Sequence, residues 1–220
     1  PKKWSRKAHL FPVSGVSSED LARVFTIRPN QDQFCALSAG SLIRVKGFGL
    51  AIKAFEQFVK KHPGSMLTIA GSGPEESKLH ALINRYQLGE KVQIIGAIPH
   101  DELLARMASS DVILFPSLRD GGGTVVIEAM SVGKPVVCLD IGGPGMHVTE
   151  ECGINITPRS PEETVRELAE ALERLYLDKG LRLQLGKAAR ERAERTYHWD
   201  RLGERLMEIY GRALSSGDPL

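Results

Sequence analysis

The sequence is poor in the features that mark metalloproteins, secreted proteins and membrane proteins. It has three cysteines, Cys35, Cys138 and Cys152, and their spacing matches no metal site. Such a sparse, odd set favours reduced thiols that act as small buried side chains in a cytoplasmic protein. No apolar run approaches the length of a membrane span, and no apolar region of a signal peptide follows the basic N-terminus. Because the chain starts at Pro1, we expect it to be a fragment of a longer protein.

An excess of charge of one sign is also missing. The 220 residues include 29 Lys and Arg against 27 Asp and Glu, and this net charge of +2 argues against a nucleic-acid binder. Arginines recur between Arg182 and Arg212, and helices of this kind can contact an anionic membrane surface from the cytoplasmic side. Glutamates interleave with these arginines, so a solvated surface is the favoured interpretation and peripheral membrane contact is the alternative.

Three common nucleotide-binding motifs are absent. Gly133-Lys134 and Gly186-Lys187 lack the flanking residues of a P-loop, and the segment that starts at Gly71 lacks the third glycine of a dinucleotide fingerprint. No two aspartates are separated by a single residue, so a metal–diphosphate clamp is not indicated. We therefore expect neither a cofactor nor a metal ion. The six histidines are scattered, and only His147, near the glycine rim, is weighed as a functional candidate; a structural role is favoured for it over catalysis.

Short apolar runs alternate with amphipathic segments along most of the chain. We predict strands at residues 33–39, 66–70, 92–95, 112–115, 135–139 and 153–156. We predict helices at residues 75–86, 100–107, 181–196 and 199–214, and further helices that begin near Leu50, at Thr124 and after Ser160. This alternation predicts an α/β fold, a Rossmann-like doubly wound parallel sheet with extra C-terminal helices.

Glycine turns follow the predicted strands, at Gly40, Gly71, Gly96, Gly121 and Gly142. In a parallel sheet the carboxyl ends of the strands lie at one edge, where ligands of such folds bind. We therefore expect the five turns to converge on a single rim.

The stretch from Phe115 to Met130 carries the strongest functional signal. Three glycines, Gly121, Gly122 and Gly123, separate a buried strand from a helix that begins at Thr124. Glycines let a ligand approach the backbone, and the free N–H groups of a helix start attract phosphate. The β-branched run after Thr124 locally prefers a strand, and a plain glycine-rich turn is the alternative interpretation.

Two carboxylates, Asp120 and Glu128, bracket this turn. Glu128 lies one helical turn beyond Thr124, roughly 6 Å further along the axis. At that offset a carboxylate suits neutral hydroxyl groups better than phosphate, because it accepts hydrogen bonds and repels anions. The pattern therefore favours a ligand with a phosphate centre and hydroxyl-bearing ends, such as a nucleotide-sugar. Arg44 and Lys46 follow another strand and can offset the charge of a diphosphate, unless they are only solvated surface cations.

Taken together, these residues resemble the C-terminal, donor-binding domain of GT-B glycosyltransferases, specifically family 4 of the retaining enzymes. The matching positions follow one another in order along the chain: Gly40, residues 46–48, 69–74 and 95–96, Asp111, residues 115–117, 128–130, 133–137 and 142–143, and Trp199. The resemblance implies an N-terminal extension and linker at residues 1–30 and a Rossmann-like nucleotide-sugar domain at 31–198. It also implies a C-terminal helix at 199–220 that packs toward an absent N-terminal acceptor domain.

The resemblance also implies roles for individual residues. Lys46 would hold the diphosphate, Asp120 the transferred sugar and Glu128 the ribose, and these three are the implied catalytic residues. The implied donor-binding set is Gly40, Ser41, Arg44, Lys46, Gly73, Ile98, Asp120, Gly121, Gly122, Gly123, Thr124 and Glu128. The chain departs from the family pattern at three places, with Asp120 in place of Glu, Gly122 in place of Phe and Ser41 in place of Arg. Arg44 is the candidate to replace that missing arginine.

The activity implied by the resemblance is retaining transfer of a hexosyl unit from a nucleotide-diphosphate sugar to a glycan, lipid or small molecule, without a metal ion. Cell-surface polysaccharide or glycoconjugate synthesis is the implied setting. The isolated chain is expected to bind the donor weakly and to transfer no sugar. A nucleotide-sugar epimerase on the same scaffold and a non-catalytic nucleotide-binding module are the alternatives. The base, the sugar, the acceptor and the oligomeric state stay open.

Overall fold

The structure is a computed structural model that describes residue 9, residues 11–22 and residues 33–215. The predicted N-terminal extension therefore lies partly outside the described residues, and the end of the predicted C-terminal segment, residues 216–220, lies outside them as well. The predicted domain division at residues 31–198 and 199–220 stays a prediction.

Six strands form one parallel sheet. They are β1 (Cys35–Ala39), β2 (Met66–Ala70), β3 (Val92–Ile94), β4 (Val112–Phe115), β5 (Val136–Leu139) and β6 (Gly153–Ile156). Their spatial order is β3-β2-β1-β4-β5-β6, and each neighbouring pair is parallel. This is the strand order of a Rossmann-like fold, so the predicted fold class and all six predicted strands are confirmed.

Helices connect and follow the strands. They are α1 (Ser18–Ala22), α2 (Phe48–Lys61), α3 (Glu76–Arg85), α4 (His100–Ser109), α5 (Thr124–Ser131), α6 (Gly142–His147), α7 (Pro161–Leu177), α8 (Lys179–Tyr197) and α9 (Trp199–Ser215), with a 3₁₀ turn at Arg44–Lys46. The predicted helices are confirmed. Within the described ranges, no helix combines the length and the apolar character needed to cross a bilayer.

Helix α6 was not predicted, because its sequence begins with a run of turn residues. Gly142 adopts a left-handed φ of 58° and turns the chain after β5. Pro144 then lies in the first helical turn, where its fixed φ suits a helix and its missing N–H costs no hydrogen bond.

Both faces of the sheet are buried, as a doubly wound fold requires. Successive residues of β4 alternate between two hydrophobic cores: Val112 and Leu114 face the core that α2, α3 and α7 cover, whereas Ile113 and Phe115 face the core of α4, α5 and α8. Cys138 and Cys152 take part in this packing as predicted, whereas Cys35 is only half-buried. Burial raises the pKa of the Cys138 thiol to about 12, so this thiol stays protonated and unreactive.

The described residues 11–22, here called the entry segment, are tied to the start of α9. Val16 donates to the Tyr197 carbonyl over 2.9 Å and accepts from the Trp199 N–H over 3.1 Å. The entry segment and the junction between α8 and α9 therefore lie side by side.

Candidate functional site

The carboxyl ends of β1, β2 and β3 meet through their glycines. The Gly40 N–H donates to the Ala70 carbonyl over 3.0 Å, and the Gly71 N–H donates to the Gly96 carbonyl over 2.7 Å. A Cβ on Gly71 would lie 1.9 Å from the Gly40 oxygen, so this approach is possible only without a side chain. The predicted convergence of the glycine turns is confirmed on this half of the rim.

The other half of the rim joins the loop after β1 to the loops after β4 and β5. A Cβ on Gly47 would lie 1.9 Å from the Pro116 oxygen, and the Leu118 N–H donates to the Val45 carbonyl over 2.8 Å. The Gly143 N–H donates to the Asp120 carbonyl over 2.9 Å. These backbone contacts hold the loops that carry Lys46 and Asp120 against each other.

Lys46 and Asp120 form an ion pair at the centre of this rim. The Lys46 Nζ lies 2.5 Å from Asp120 Oδ2, and the two side chains are 21% and 13% exposed. The ammonium also lies 5.5 Å from the centroid of the Phe115 ring, at the end of β4. The structure thus brings together the cation and the first carboxylate that the sequence singled out.

Asp120 also binds the glycine turn that follows it. Its Oδ1 accepts from the Gly122 N–H at 3.1 Å and from the Gly123 N–H at 2.8 Å. Aspartate favours such local bonds to amides two and three residues ahead. The amides of Gly122 and Gly123 are therefore already bonded within the chain and are not free for a ligand.

The charge of Asp120 is stabilised by these contacts. Burial on its own raises the pKa of the carboxyl, but the hydrogen bond from Lys46 and those from Gly123 and Gly122 outweigh it and hold the pKa below its usual value. The amides of Thr124 and Val125 come next along the chain, in the first turn of α5, where an intrahelical acceptor is lacking.

Glu128 lies on α5 one turn beyond Thr124, as predicted. Its Oε1 lies 3.0 Å from the Nε2 of His100, the first residue of α4. Glu128 is 16% exposed and His100 is 52% exposed. Sequence reasoning missed His100, although its position shortly after β3, at the same rim, is a signal that could have drawn attention to it.

His147 packs against the glycine turn and links it to α8. Its Nε2 lies 2.9 Å from the Gly122 carbonyl, and its Nδ1 lies 3.0 Å from the Tyr197 hydroxyl. Burial lowers the pKa of His147, so the ring is neutral. Because a carbonyl only accepts, Nε2 carries the proton and Nδ1 accepts from the tyrosine. The predicted structural role of His147 is confirmed.

The entry segment touches the start of α5. The Ser14 and Thr124 hydroxyls lie 2.6 Å apart, and a Cβ on Gly122 would lie 3.3 Å from both Ser14 Oγ and Val13 Cγ2. The Thr124 hydroxyl is thus engaged by the entry segment.

The other predicted donor-binding residues are Ser41, Arg44, Gly73 and Ile98. Ser41 and Arg44 are exposed, and Arg44 lines a cavity of about 640 Å³ whose lining includes neither Lys46 nor Asp120. Gly73 packs against the backbone of Leu42, whose oxygen would lie 2.7 Å from a Cβ at this glycine. Ile98 is half-buried against the core beneath α4 and α5. That Arg44 replaces the missing arginine stays a prediction.

The acidic and histidine side chains of the rim do not form a metal site. In the part of the chain that the structure describes, no cluster of three or more His, Cys, Asp or Glu side chains is placed to hold a metal ion.

Fold and rim together define a Rossmann-like α/β domain whose candidate site lies at the carboxyl ends of its strands. The family profile of the glycosyl transferases group 1 matches residues 22–192. The chain belongs to this family, and its fold is that of the C-terminal half of GT-B glycosyltransferases.

Three known proteins illustrate this similarity. Glycogen synthase of Mycobacterium tuberculosis is 30% identical over 184 residues, which cover 83% of this chain and 44% of the synthase. The C-terminal domain of LpcC, a group 1 glycosyl transferase from Francisella tularensis, has a TM-score of 0.71 at 18% identity, with 84% of this chain and 100% of that chain covered. HepE from Anabaena, solved with UDP and glucose, has a TM-score of 0.72 at 23% identity, with coverages of 82% and 49%. The chain spans about half the length of the curated relatives it matches.

Proposed function

We propose that the chain is the donor-binding half of a retaining glycosyltransferase that moves a hexosyl unit from a nucleotide-diphosphate sugar to an acceptor. The observation that carries this proposal is the arrangement around the glycine turn. Lys46 lies on the strand side of the turn, and Glu128 lies one helical turn into α5 on the other side. A cation for the diphosphate and a carboxylate for ribose hydroxyls thus share one rim.

Binding of the donor would change the partner of Lys46. A diphosphate carries more charge than Asp120 and would draw the ammonium toward itself, aided by the amides at the start of α5. Asp120 Oδ2 would then be free to accept from a hydroxyl of the sugar, while Oδ1 keeps the glycine turn in place. In the transfer step, Lys46 and the helix start would stabilise the charge on the departing nucleoside diphosphate. These groups would suffice without a metal ion.

The comparisons support the donor class without defining the acceptor. HepE was solved with UDP and glucose, and glycogen synthase is named for a sugar polymer. A glycan, a lipid or a small molecule therefore stays open as the acceptor, and cell-surface polysaccharide or glycoconjugate synthesis in the cytoplasm, at the inner face of the membrane, is the proposed setting.

The acceptor site is proposed to lie in an N-terminal domain of the same enzyme. Helix α9 exposes a set of large apolar side chains, with exposed fractions of 50% to 84%: Trp199, Met207, Tyr210 and Leu214. Such a surface suits packing against another domain. We therefore expect this chain alone to bind the donor weakly and to transfer no sugar. Sustained transfer of sugar to an acceptor by the isolated chain would contradict that expectation.

Ligand-dependent stabilisation tests the proposal directly. The unfolding midpoint of the chain is measured with UDP, GDP, ADP and their glucose or mannose conjugates. A nucleotide that binds the folded state raises the free energy of unfolding by about 2.7 kcal/mol at a hundredfold excess over its Kd. Glu128→Ala should strongly reduce this stabilisation. Glu170→Ala, which removes an exposed carboxylate from α7, is the control and should retain it.

No stabilisation of the unmodified chain by any of these nucleotides would contradict the proposal. Equal stabilisation of the unmodified chain and the Glu128→Ala variant would show that the nucleotide binds elsewhere.

A further inference from the structure

We infer that His100 is a positioning residue that holds the Glu128 carboxylate for the ribose, and that it thereby makes the site prefer ribonucleotides to deoxyribonucleotides. This inference deepens the proposed function and rests on it. Its starting point is the 3.0 Å contact between His100 Nε2 and Glu128 Oε1, at a rim where the sequence pointed to the carboxylate alone.

The relative position of His100 and Glu128 is fixed by the packing of helices α4 and α5. Helix α4 buries Leu104 and Met107 in the same core to which α5 contributes Val126, Ile127 and Met130. His100 opens α4 directly after Pro99, whose ring fixes the backbone before the helix. The distance between His100 and Glu128 is therefore set by the core beneath them and not by a mobile loop.

The chemistry of the pair assigns the proton. An ionised carboxylate only accepts hydrogen bonds, so His100 must donate from Nε2. This bond occupies one lone pair of Oε1 and restricts the rotation of the Glu128 side chain before any ligand is present. The entropy cost of fixing this side chain is therefore not charged to ligand binding. The lone pairs that remain on the carboxylate can accept from the two neighbouring hydroxyls of a ribose.

The low solvent exposure of Glu128 distinguishes the His100–Glu128 pair from an ordinary surface ion pair. Glu102 and Arg106, on the same helix α4, are both 44% exposed and four residues apart, and such pairs contribute little. Glu128 is only 16% exposed, whereas its partner His100 is 52% exposed and lies on a different helix. The carboxylate is thus recessed in the rim and the imidazole borders it, which is the arrangement of a site that receives a small hydroxyl-bearing group.

The test compares affinities for a ribonucleotide and its deoxy analogue. Calorimetry is run with UDP, GDP and ADP, and the one that binds tightest is compared with its 2′-deoxy form in the unmodified chain, His100→Leu and His100→Gln. The unmodified chain should prefer the ribonucleotide by about tenfold or more. The deoxy form lacks the 2′-hydroxyl, so one acceptor site of the Glu128 carboxylate is left without its hydrogen-bond donor. His100→Leu should reduce this preference at least about threefold, since one positioning hydrogen bond is lost. The affinity for the deoxy form should fall less than that for the ribonucleotide, because only its 3′-hydroxyl remains to contact Glu128. His100→Gln, whose amide can still donate, should retain most of the preference.

Two controls separate positioning from a general effect. His80→Leu removes an exposed histidine from α3 and should change neither affinity. In a Glu128→Ala background, His100→Leu should have no further effect on the preference, because the two residues act as one unit.

Equal losses for both nucleotides in His100→Leu, or an unchanged preference, would overturn the inference and leave the proposed function standing. Failure of the unmodified chain to bind any of the three nucleotides would instead contradict the proposed function, and the inference would fall with it.

Discussion

The two carboxylates that flank the glycine turn have opposite environments. Asp120 accepts hydrogen bonds from Gly122, Gly123 and Lys46, and both of its oxygens are engaged. Glu128, eight residues later, is bonded to His100 through Oε1. The strand side of the turn is thus neutralised from within the domain, whereas the helix side offers acceptor capacity to a ligand.

This difference follows from the reach of each side chain. Asp120 is short and lies just before the turn, so its carboxylate folds back onto the amides that follow. Glu128 projects from a formed helix, where the backbone amides are already bonded, and can meet only other side chains or a ligand. We infer that Asp120 contributes mainly to the shape of the turn and Glu128 mainly to recognition. The following predictions test this assignment of roles to Asp120 and Glu128.

The largest loss of stability is expected from a side chain added within the glycine turn. Gly123 has a left-handed φ of 60°, and a Cβ there would lie 2.7 Å from His147 Cδ2. Gly123→Ala should lower the free energy of unfolding by about 2–4 kcal/mol, because the backbone conformation disfavours a side chain and His147 must move. Denaturant unfolding measures this change.

Gly121→Ala is the matched control two residues earlier. A Cβ at Gly121 meets nothing within 4 Å, and its φ is not left-handed. Its cost should stay within about 0.5 kcal/mol. Similar costs for both variants would show that the turn is not held as described.

A smaller effect is expected from removal of the Asp120 carboxylate. Asp120→Ala leaves Lys46 without its partner and the amides of Gly122 and Gly123 without their acceptor, and should cost about 1–3 kcal/mol of unfolding free energy. Asp120→Asn keeps an oxygen for the amides and loses the charge, so its cost should be about half as large. A cost below about 0.5 kcal/mol for Asp120→Ala, on the scale of ordinary surface substitutions, would contradict the structural role.

The pH dependence of stability provides an independent check on Asp120. Its pKa is lowered in the folded chain, so the unfolded chain binds the proton more readily. The stabilisation is therefore present above the unfolded pKa of about 4 and is lost as the pH falls through the folded value. The difference in unfolding free energy between the unmodified chain and Asp120→Asn should accordingly persist at pH 7 and shrink below about pH 4.

Much of the fold could be predicted from the sequence, because its local signals agree with one another. Buried strands such as β4 are apolar at every position, and glycine or proline marks nearly every boundary. Ser160 and Pro161 signal the start of α7, and the Ser160 hydroxyl does accept from the Glu163 N–H at 3.2 Å. Helix α6 escaped prediction because glycine and proline are read as turn residues, and only the tertiary contact of Gly143 with Asp120 shows why a helix fits there.

The candidate site could be predicted by position but not by orientation. The meeting of Lys46 with Asp120 and the place of Glu128 on α5 follow from the parallel strands and the helix start. The partners of these side chains depend on packing between distant segments, and no local pattern encodes them. The contact of His100 with Glu128 joins residues 28 apart, and the bond of His147 to Tyr197 joins residues 50 apart. Arg44 lines a cavity whose lining lacks Lys46 and Asp120, and its placement likewise depends on the shape of a three-residue 3₁₀ turn.

The smallest effect is expected at Glu128. Glu128→Gln keeps an oxygen that can accept from His100 Nε2, and no amide of the glycine turn depends on this side chain in the contacts described above. The free energy of unfolding without ligand should therefore change by less than about 0.5 kcal/mol. Denaturant unfolding of Glu128→Gln and Asp120→Asn, measured side by side at pH 7, checks this. A loss for Glu128→Gln as large as that for Asp120→Asn would mean that both carboxylates hold the fold, because a group kept mainly for a ligand has little to lose when the ligand is absent.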